Sequence, residues 1–245
     1  MLLDLMVAPG GGAAKEDAAA TLFNVSVITA NKGAIVAAGG IPELVDVLMS
    51  SSAVTVHNHA VATMRQLADE SVDAASTIAT SGGIPPLVVL LKSPCVDVHA
   101  NALGTLVVLS SANESTGLVV AAAGAIPAAI ALLKPSCLPG IRALSSRLLF
   151  VLAGSTTDEC IKGAISAISA TRCAPLIELL KDEAPKYRAA GCRALRALAS
   201  DRAARAALVS AGAQAALASL LSDDSGVREC VTVAVAALER GPGMK

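Results

Sequence analysis

Tryptophan is absent from the 245 residues, and Phe23, Phe150 and Tyr187 are the only aromatic side chains. A β-sandwich would want more Tyr, Phe, Thr and Ile to cover its pleated faces. Excess charge is lacking as well. Nineteen Lys and Arg stand against 20 Asp and Glu, a formal net charge of −1, so no global field points to nucleic acid or anionic lipid. Cys95, Cys137, Cys160, Cys173, Cys192 and Cys230 form no Cys-x-x-Cys pair. All six are expected as free thiols in a reducing compartment, the cytoplasm with the nucleus also open to it. An unbroken membrane span is missing too. Ser115 to Leu133 runs 19 residues without a charge, long enough to cross, but Gly124 and Pro127 interrupt it where one helix is expected to turn into the next. Met1 to Met6 is too short for a signal-peptide core and carries Asp4.

What the chain has in quantity is small and aliphatic side chains: 54% of it is apolar, filled by Ala, Leu and Val, which suit close helix-on-helix packing. One phrase organises them. Ala37-Ala38-Gly39-Gly40-Ile41-Pro42-Glu43-Leu44-Val45-Asp46-Val47-Leu48 returns as Ser81-Gly82-Gly83-Ile84-Pro85-Pro86-Leu87-Val88-Val89-Leu90-Leu91, and again from Ala123 to Leu133. Worn copies run from Arg172 to Leu180 and from Ala211 to Leu221. Aligned on the closing leucines, positions 42, 85, 127, 174 and 215 are equivalent, with steps of 43, 42, 47 and 41 residues. Helical pieces at that period read as a solenoid, whose repeats bury their apolar faces against their neighbours.

Each unit divides into three helices. A first helix runs to the glycines: Ala30–Ala38, Val72–Thr80, Glu114–Ala123, Asp158–Ala170 and Arg202–Ser210. Glycine stops it, and Ile-Pro starts a second, with Pro tolerated in the first turn. A longer third helix follows at Val54–Ala68, Val96–Ser110, Leu138–Ala153, Pro185–Ala199 and Val227–Glu239. Lys15 to Val27 reads as the third helix of an opening partial repeat, 1–28, after a Pro9-Gly10-Gly11-Gly12 turn. The repeats then fall at 29–70, 71–112, 113–156, 157–200 and 201–240, in one continuous domain, with a disordered tail at 241–245. The extra length of the 47-residue step belongs between Phe150 and Arg172. Leu48, Leu91, Leu133, Leu180 and Leu221 are expected as equivalent buried residues.

This helix, Gly-Gly-Ile-Pro-x-Leu-Val-x-Leu-Leu, helix pattern resembles the armadillo repeat. The resemblance implies an all-α right-handed superhelix of three-helix repeats whose third helices line a concave groove. Ala20-Thr21-Leu22-Phe23-Asn24-Val25-Ser26 followed by Asn31-Lys32 looks like the armadillo region of plant-type U-box ubiquitin ligases. A U-box itself has no place in the chain. In importin-alpha and beta-catenin-like members an Asn near the end of each third helix clamps a bound peptide. The matching column here is Asn24, Gln66, Val108, Val151, Ala197 and Ala237. The Trp column four residues earlier reads Ala20, Ala62, Gly104, Arg147, Arg193 and Val233. Both departures argue against an importin-like receptor for basic peptides.

The expected groove residues are Asn24, His59, Arg65, Gln66, Asn101, Arg147, Arg193 and Arg196, placed on one face by steps of three and four. Their basic C-terminal half suits an acidic or helical protein segment. A second column, Lys15, His57, His99, Arg142, Arg188 and Arg228, sits one turn into each third helix. It reads as stems packed on the helix with solvated tips, or as a basic ridge for an anionic surface. Chemistry is not spelled out. His57-Asn58-His59 offers two imidazoles where a metal needs three or four ligands, and Pro9 to Lys15 lacks the spacing of a phosphate loop. No catalytic residue, cofactor or metal is expected, and no small-molecule substrate or nucleic acid. The reading is a non-enzymatic protein-interaction scaffold: the partner- or substrate-binding part of a U-box-type ligase or relative, with a stand-alone armadillo adaptor as the alternative. It is expected as a monomer unless the open N-terminal repeat pairs.

Overall fold

The computed structural model describes residues 12–51, 53–69, 71–134, 136–154, 170–221 and 225–239. All regular structure among them is helical. The chain forms two compact units, residues 1–123 and 124–245. The first contains α1 (Gly12–Ser26), α2 (Thr29–Ala37), α3 (Gly40–Ser50), α4 (Val54–Ala68), α5 (Val72–Thr80), α6 (Ile84–Leu90), α7 (Val96–Ala112) and α8 (Glu114–Ala122). The second contains α9 (Ala125–Ala131), α10 (Pro139–Gly154), α11 (Ala170–Leu179), α12 (Pro185–Leu198), α13 (Arg202–Ser210), α14 (Ala213–Ala218) and α15 (Ser225–Glu239). The long third helices stack side by side: α1 on α4 on α7 in the first unit, α10 on α12 on α15 in the second.

The turn between first and second helices depends on one residue. Gly39, Gly82, Gly124 and Gly212 all have φ between 78° and 88°, and no non-glycine described residue has a positive φ. An L side chain pays for that conformation through a clash between Cβ and the backbone, and glycine does not. The reversal satisfies the dying helix: Ala38 N–H donates to Ala34 O and Gly39 N–H to Val36 O, each at 3.0 Å. It also turns α3 by 79° from α2. The repeat at Arg172-Cys173-Ala174-Pro175 lacks the glycine, and there α11 starts earlier and carries Pro175 inside. Residues 155–169, which hold the expected first helix and most of the insertion of that repeat, lie outside the described residues. So do residues 1–11, with most of the expected Pro9-Gly10-Gly11-Gly12 turn, and the tail at 241–245. First helices also have a repeated cap. Ser71, Asn113 and Asp201 side chains accept from the backbone N–H groups of Ala74, Thr116 and Ala204, meeting donors that a helix start leaves orphaned.

Leu48, Leu91, Leu133 and Leu180 are buried, between 1% and 6% exposed. Leu221 is not: it is 47% exposed, which corrects the expected column. The cause is stacking order. The first helix of the next repeat covers the second helix before it, α5 over α3, α8 over α6 and α13 over α11, and among the described residues no first helix of a further repeat covers α14, which packs against α13 and α15 of its own repeat. The column four residues earlier, Leu44, Leu87, Ala129, Leu176 and Leu217, is buried throughout.

Truncation should follow that difference. Leu91→Ala is expected to cost about 2–5 kcal/mol, and Leu221→Ala to stay within about 0.5 kcal/mol, as for an ordinary surface change. Urea unfolding of the two variants checks both.

Candidate functional site on the third-helix faces

The third helices carry nearly all the cations the sequence singled out, and the structure sorts these into two kinds. The first kind is the column one turn into each helix. His57 Nε2 lies 2.8 Å from the carbonyl of Ser51, just past the end of α3. His99 lies near the backbone of Leu91, past the end of α6, but its Nε2 is buried without a hydrogen-bond partner. Arg188 donates through Nη1 to the carbonyls of Asp182 and Glu183, both at 2.7 Å, after α11. Arg142 is 9% exposed and pairs with Asp182 Oδ2 at 3.5 Å, while Asp182 Oδ1 accepts from Ala184 N–H. Arg228 is engaged too. The tips of His57, Arg142 and Arg188 therefore answer carbonyls or a carboxylate just past the C-terminal end of a second helix, where positive charge is favoured. The tips of His57, Arg142 and Arg188 are not solvated: at these positions the expected column closes helix ends, while among the described residues no such bond is shown for the half-buried Lys15 or for His99.

The second kind is the groove set. In the first unit Asn24 and Arg65 are exposed, and His59, Gln66 and Asn101 are half-buried. The His59 ring lies against Phe23 with centroids 6.0 Å apart, and its Nδ1 is buried without a partner. Asn101 Nδ2 donates to Asn58 Oδ1 at 2.7 Å, joining α7 to α4. The Arg65 guanidinium reaches α7 and lies over Gly104. In the second unit Arg147, Arg193 and Arg196 are all exposed. Arg147 and Arg193 hold equivalent places on the neighbouring helices α10 and α12, and the Arg196 guanidinium sits 5.4 Å from the centre of the Phe150 ring, a cation–π contact between repeats. Among the described residues none of Arg65, Arg147, Arg193 and Arg196 makes a hydrogen bond or ion pair. Asn58, Phe150, Asp182 and Gly104 were not foreseen as parts of this pattern. Phe150 and Gly104 had a signal, as a lone aromatic and as the one glycine in the Trp column.

No group of three or more His, Cys, Asp or Glu among the described residues could hold a metal. His57 and His59 serve different neighbours, as residues two apart on a helix must. Cys95, Cys137, Cys173, Cys192 and Cys230 are free thiols. Burial pushes Cys173 up to about 11 and Cys192 up to about 12, so both stay protonated at neutral pH and are poor nucleophiles. A cleft of about 750 Å³ between α5 and α8 is open and lies on the first helices, away from the groove set. No single helix among the described residues is long and apolar enough to cross a membrane.

Comparison with known proteins agrees with this geometry. Residues 71–111 match the family model of the armadillo/beta-catenin-like repeat. A search of curated proteins found no match. One engineered protein of known structure is similar at 27% identity, covering 97% of this chain and 95% of its own, with a TM-score of 0.84. A second engineered protein is 26% identical, with 98% of each chain covered and a TM-score of 0.84. A designed armadillo repeat protein, solved in complex with the peptide (KR)4, is 21% identical over 97% of this chain and 98% of its own, with a TM-score of 0.83; that likeness concerns the fold alone. The fold is all-α and of the armadillo-repeat type.

The buried ring of His99 gives a pH signature. Burial holds His99 below its usual 6.5, against the smaller raising effect of the Leu91 backbone beside it. As pH falls through 6.5 the unfolded chain takes up a proton that the folded chain resists, so His99 subtracts stability below that pH and nothing well above it. Melts at pH 7.5 and 5.5 should show a smaller acid loss in His99→Gln than in the parent.

Proposed function

We propose that this chain is a protein-interaction scaffold whose third-helix faces take acidic segments of partner proteins. One observation carries the reading. His57, Arg142 and Arg188 are engaged at helix ends, and among the described residues the arginines of the groove set are left without hydrogen bonds or ion pairs. An unpaired guanidinium on an exposed face offers a planar fork of donors that matches a carboxylate. The helices α10 and α12, which present Arg147, Arg193 and Arg196, contain no Asp or Glu, so nothing within them competes. The designed neighbour takes a basic peptide; the exposed arginines of this chain favour the opposite charge. The net charge of −1 speaks against nucleic acid, and no catalytic role is proposed for the 245 residues.

The finer reading is that the scaffold is the partner- or substrate-binding armadillo region of a U-box-type ubiquitin ligase or relative, acting as a monomer in the cytoplasm or nucleus. It rests on the wording from Ala20 to Ser26 with Asn31-Lys32. A stand-alone adaptor is the second reading, and a specific observation favours it. Asn31 Nδ2 donates to Val25 O, Ser26 Oγ donates to Phe23 O, and Leu22 is buried. These words of the resemblance serve the turn between α1 and α2, which any armadillo repeat needs.

Arg193→Glu with Arg196→Glu should lower affinity for captured acidic partners at least tenfold, most strongly at low salt. Affinity capture with mass spectrometry and direct titration check it; partners retained at full affinity would refute the groove. A U-box encoded upstream in the same reading frame would decide for the ligase. The purified chain should be silent in a ubiquitination assay, and activity there would overturn the scaffold reading.

A further inference from the structure

Gly104 is a glycine without a local reason to be one. It lies in the middle of α7, a helix of 17 residues, where glycine weakens a helix relative to alanine. It is not among the glycines with a positive φ. The equivalent third-helix positions in the other repeats are Ala20, Ala62, Arg147, Arg193 and Val233, all of which carry a Cβ. The missing methyl has one consequence. A Cβ built on Gly104 would stand 3.1 Å from Arg65 Nη1 and 3.2 Å from both Cζ and Nε. These are its three nearest neighbours, so the guanidinium itself occupies the space the methyl would need.

Arg65 gives up something to lie there. Asp69, four residues on, is the natural i,i+4 carboxylate for it. No ion pair joins them, and Arg65 makes none with any other described residue. One face of the guanidinium is therefore held against the backbone of α7. Arg65 remains exposed, leaving its donors open to solvent. Asn101, one turn before Gly104 on α7, spends one amide hydrogen on Asn58 and keeps a second. The helix α4 holds no acidic residue, and the acidic residue of α7, Asp97, is two turns away from Gly104.

We infer that Gly104 is a seat for the Arg65 guanidinium, and that the pair forms an anion subsite in the first unit that receives a carboxylate of an acidic protein segment. The inference rests on the reading of the third-helix faces as partner-binding. Gly104 is the positioning residue and Arg65 the contact. A cation fixed in one orientation loses less freedom on binding than a waving one, and a fixed fork selects a planar carboxylate.

The test uses the full chain and a fluorescein-labelled peptide of eight alternating Glu and Ala residues, read by fluorescence anisotropy at low salt. Arg65→Gln should weaken binding about 10- to 100-fold, the range of one charge-assisted contact. Gly104→Ala should weaken it by a similar factor although the charge of the protein is unchanged. The double variant should bind no worse than Arg65→Gln alone, because the methyl acts only through the arginine. Folding is controlled within the experiment: the displaced atoms are the far end of a flexible side chain, so Gly104→Ala should keep or raise the melting temperature. Three outcomes overturn the inference: wild-type affinity in Gly104→Ala, additive losses in the double variant, or tighter binding of an oligothymidylate than of the peptide. If Arg193→Glu with Arg196→Glu abolishes peptide binding while Gly104→Ala leaves it intact, the subsite falls and the scaffold reading stands. A peptide that binds no form of the protein sinks both.

Discussion

A single backbone conformation decides where each first helix ends and which way its second helix leaves. Four glycines hold it, at Gly39, Gly82, Gly124 and Gly212. Continuing the first helix through that point would keep its backbone hydrogen bonds but carry its apolar side away from the neighbouring repeat. Reversing φ at one residue closes the helix end with local bonds and swings the next helix across the stack. Burial of Leu44, Leu87, Ala129 and Leu217 follows from that geometry. Pro175 inside α11 shows the alternative, in which the glycine is missing and the helix begins earlier.

Much of this was legible in the residues. Val72–Thr80, Val54–Ala68 and Arg202–Ser210 match the sequence-based bounds, and the remaining described helices differ by a few residues at their ends, where fraying and caps decide. A phrase repeated several times fixes register well, because each copy repeats the same steric demand. The last leucine was read wrongly for a physical reason. Periodicity reports which side a residue faces within its repeat. Burial of Leu221 depends on whether another repeat lies beyond, and a repeat motif cannot carry that information.

The candidate site was legible by position and illegible by role. Both cation columns were found by register, yet their difference is set by atoms far apart in sequence. Arg142 meets Asp182 forty residues later, and Arg65 meets Gly104 across two helices. Local spacing gives neither pair. The resemblance to U-box ligases had a similar limit, since Asn31 and Ser26 turn out to hold a loop.

The carboxylate of Asp182 links two repeats of the second unit: its side chain takes Arg142 from α10, and its own carbonyl takes Arg188 from α12. In a linear array, total stability is the sum of what each repeat contributes alone and what each interface adds. A paired, largely buried charge weights the interface, because opening either repeat strands a cation or an anion that the other had satisfied. Local opening of one repeat is therefore penalised in its neighbour, and these two repeats are bound to lose structure together, as one cooperative segment.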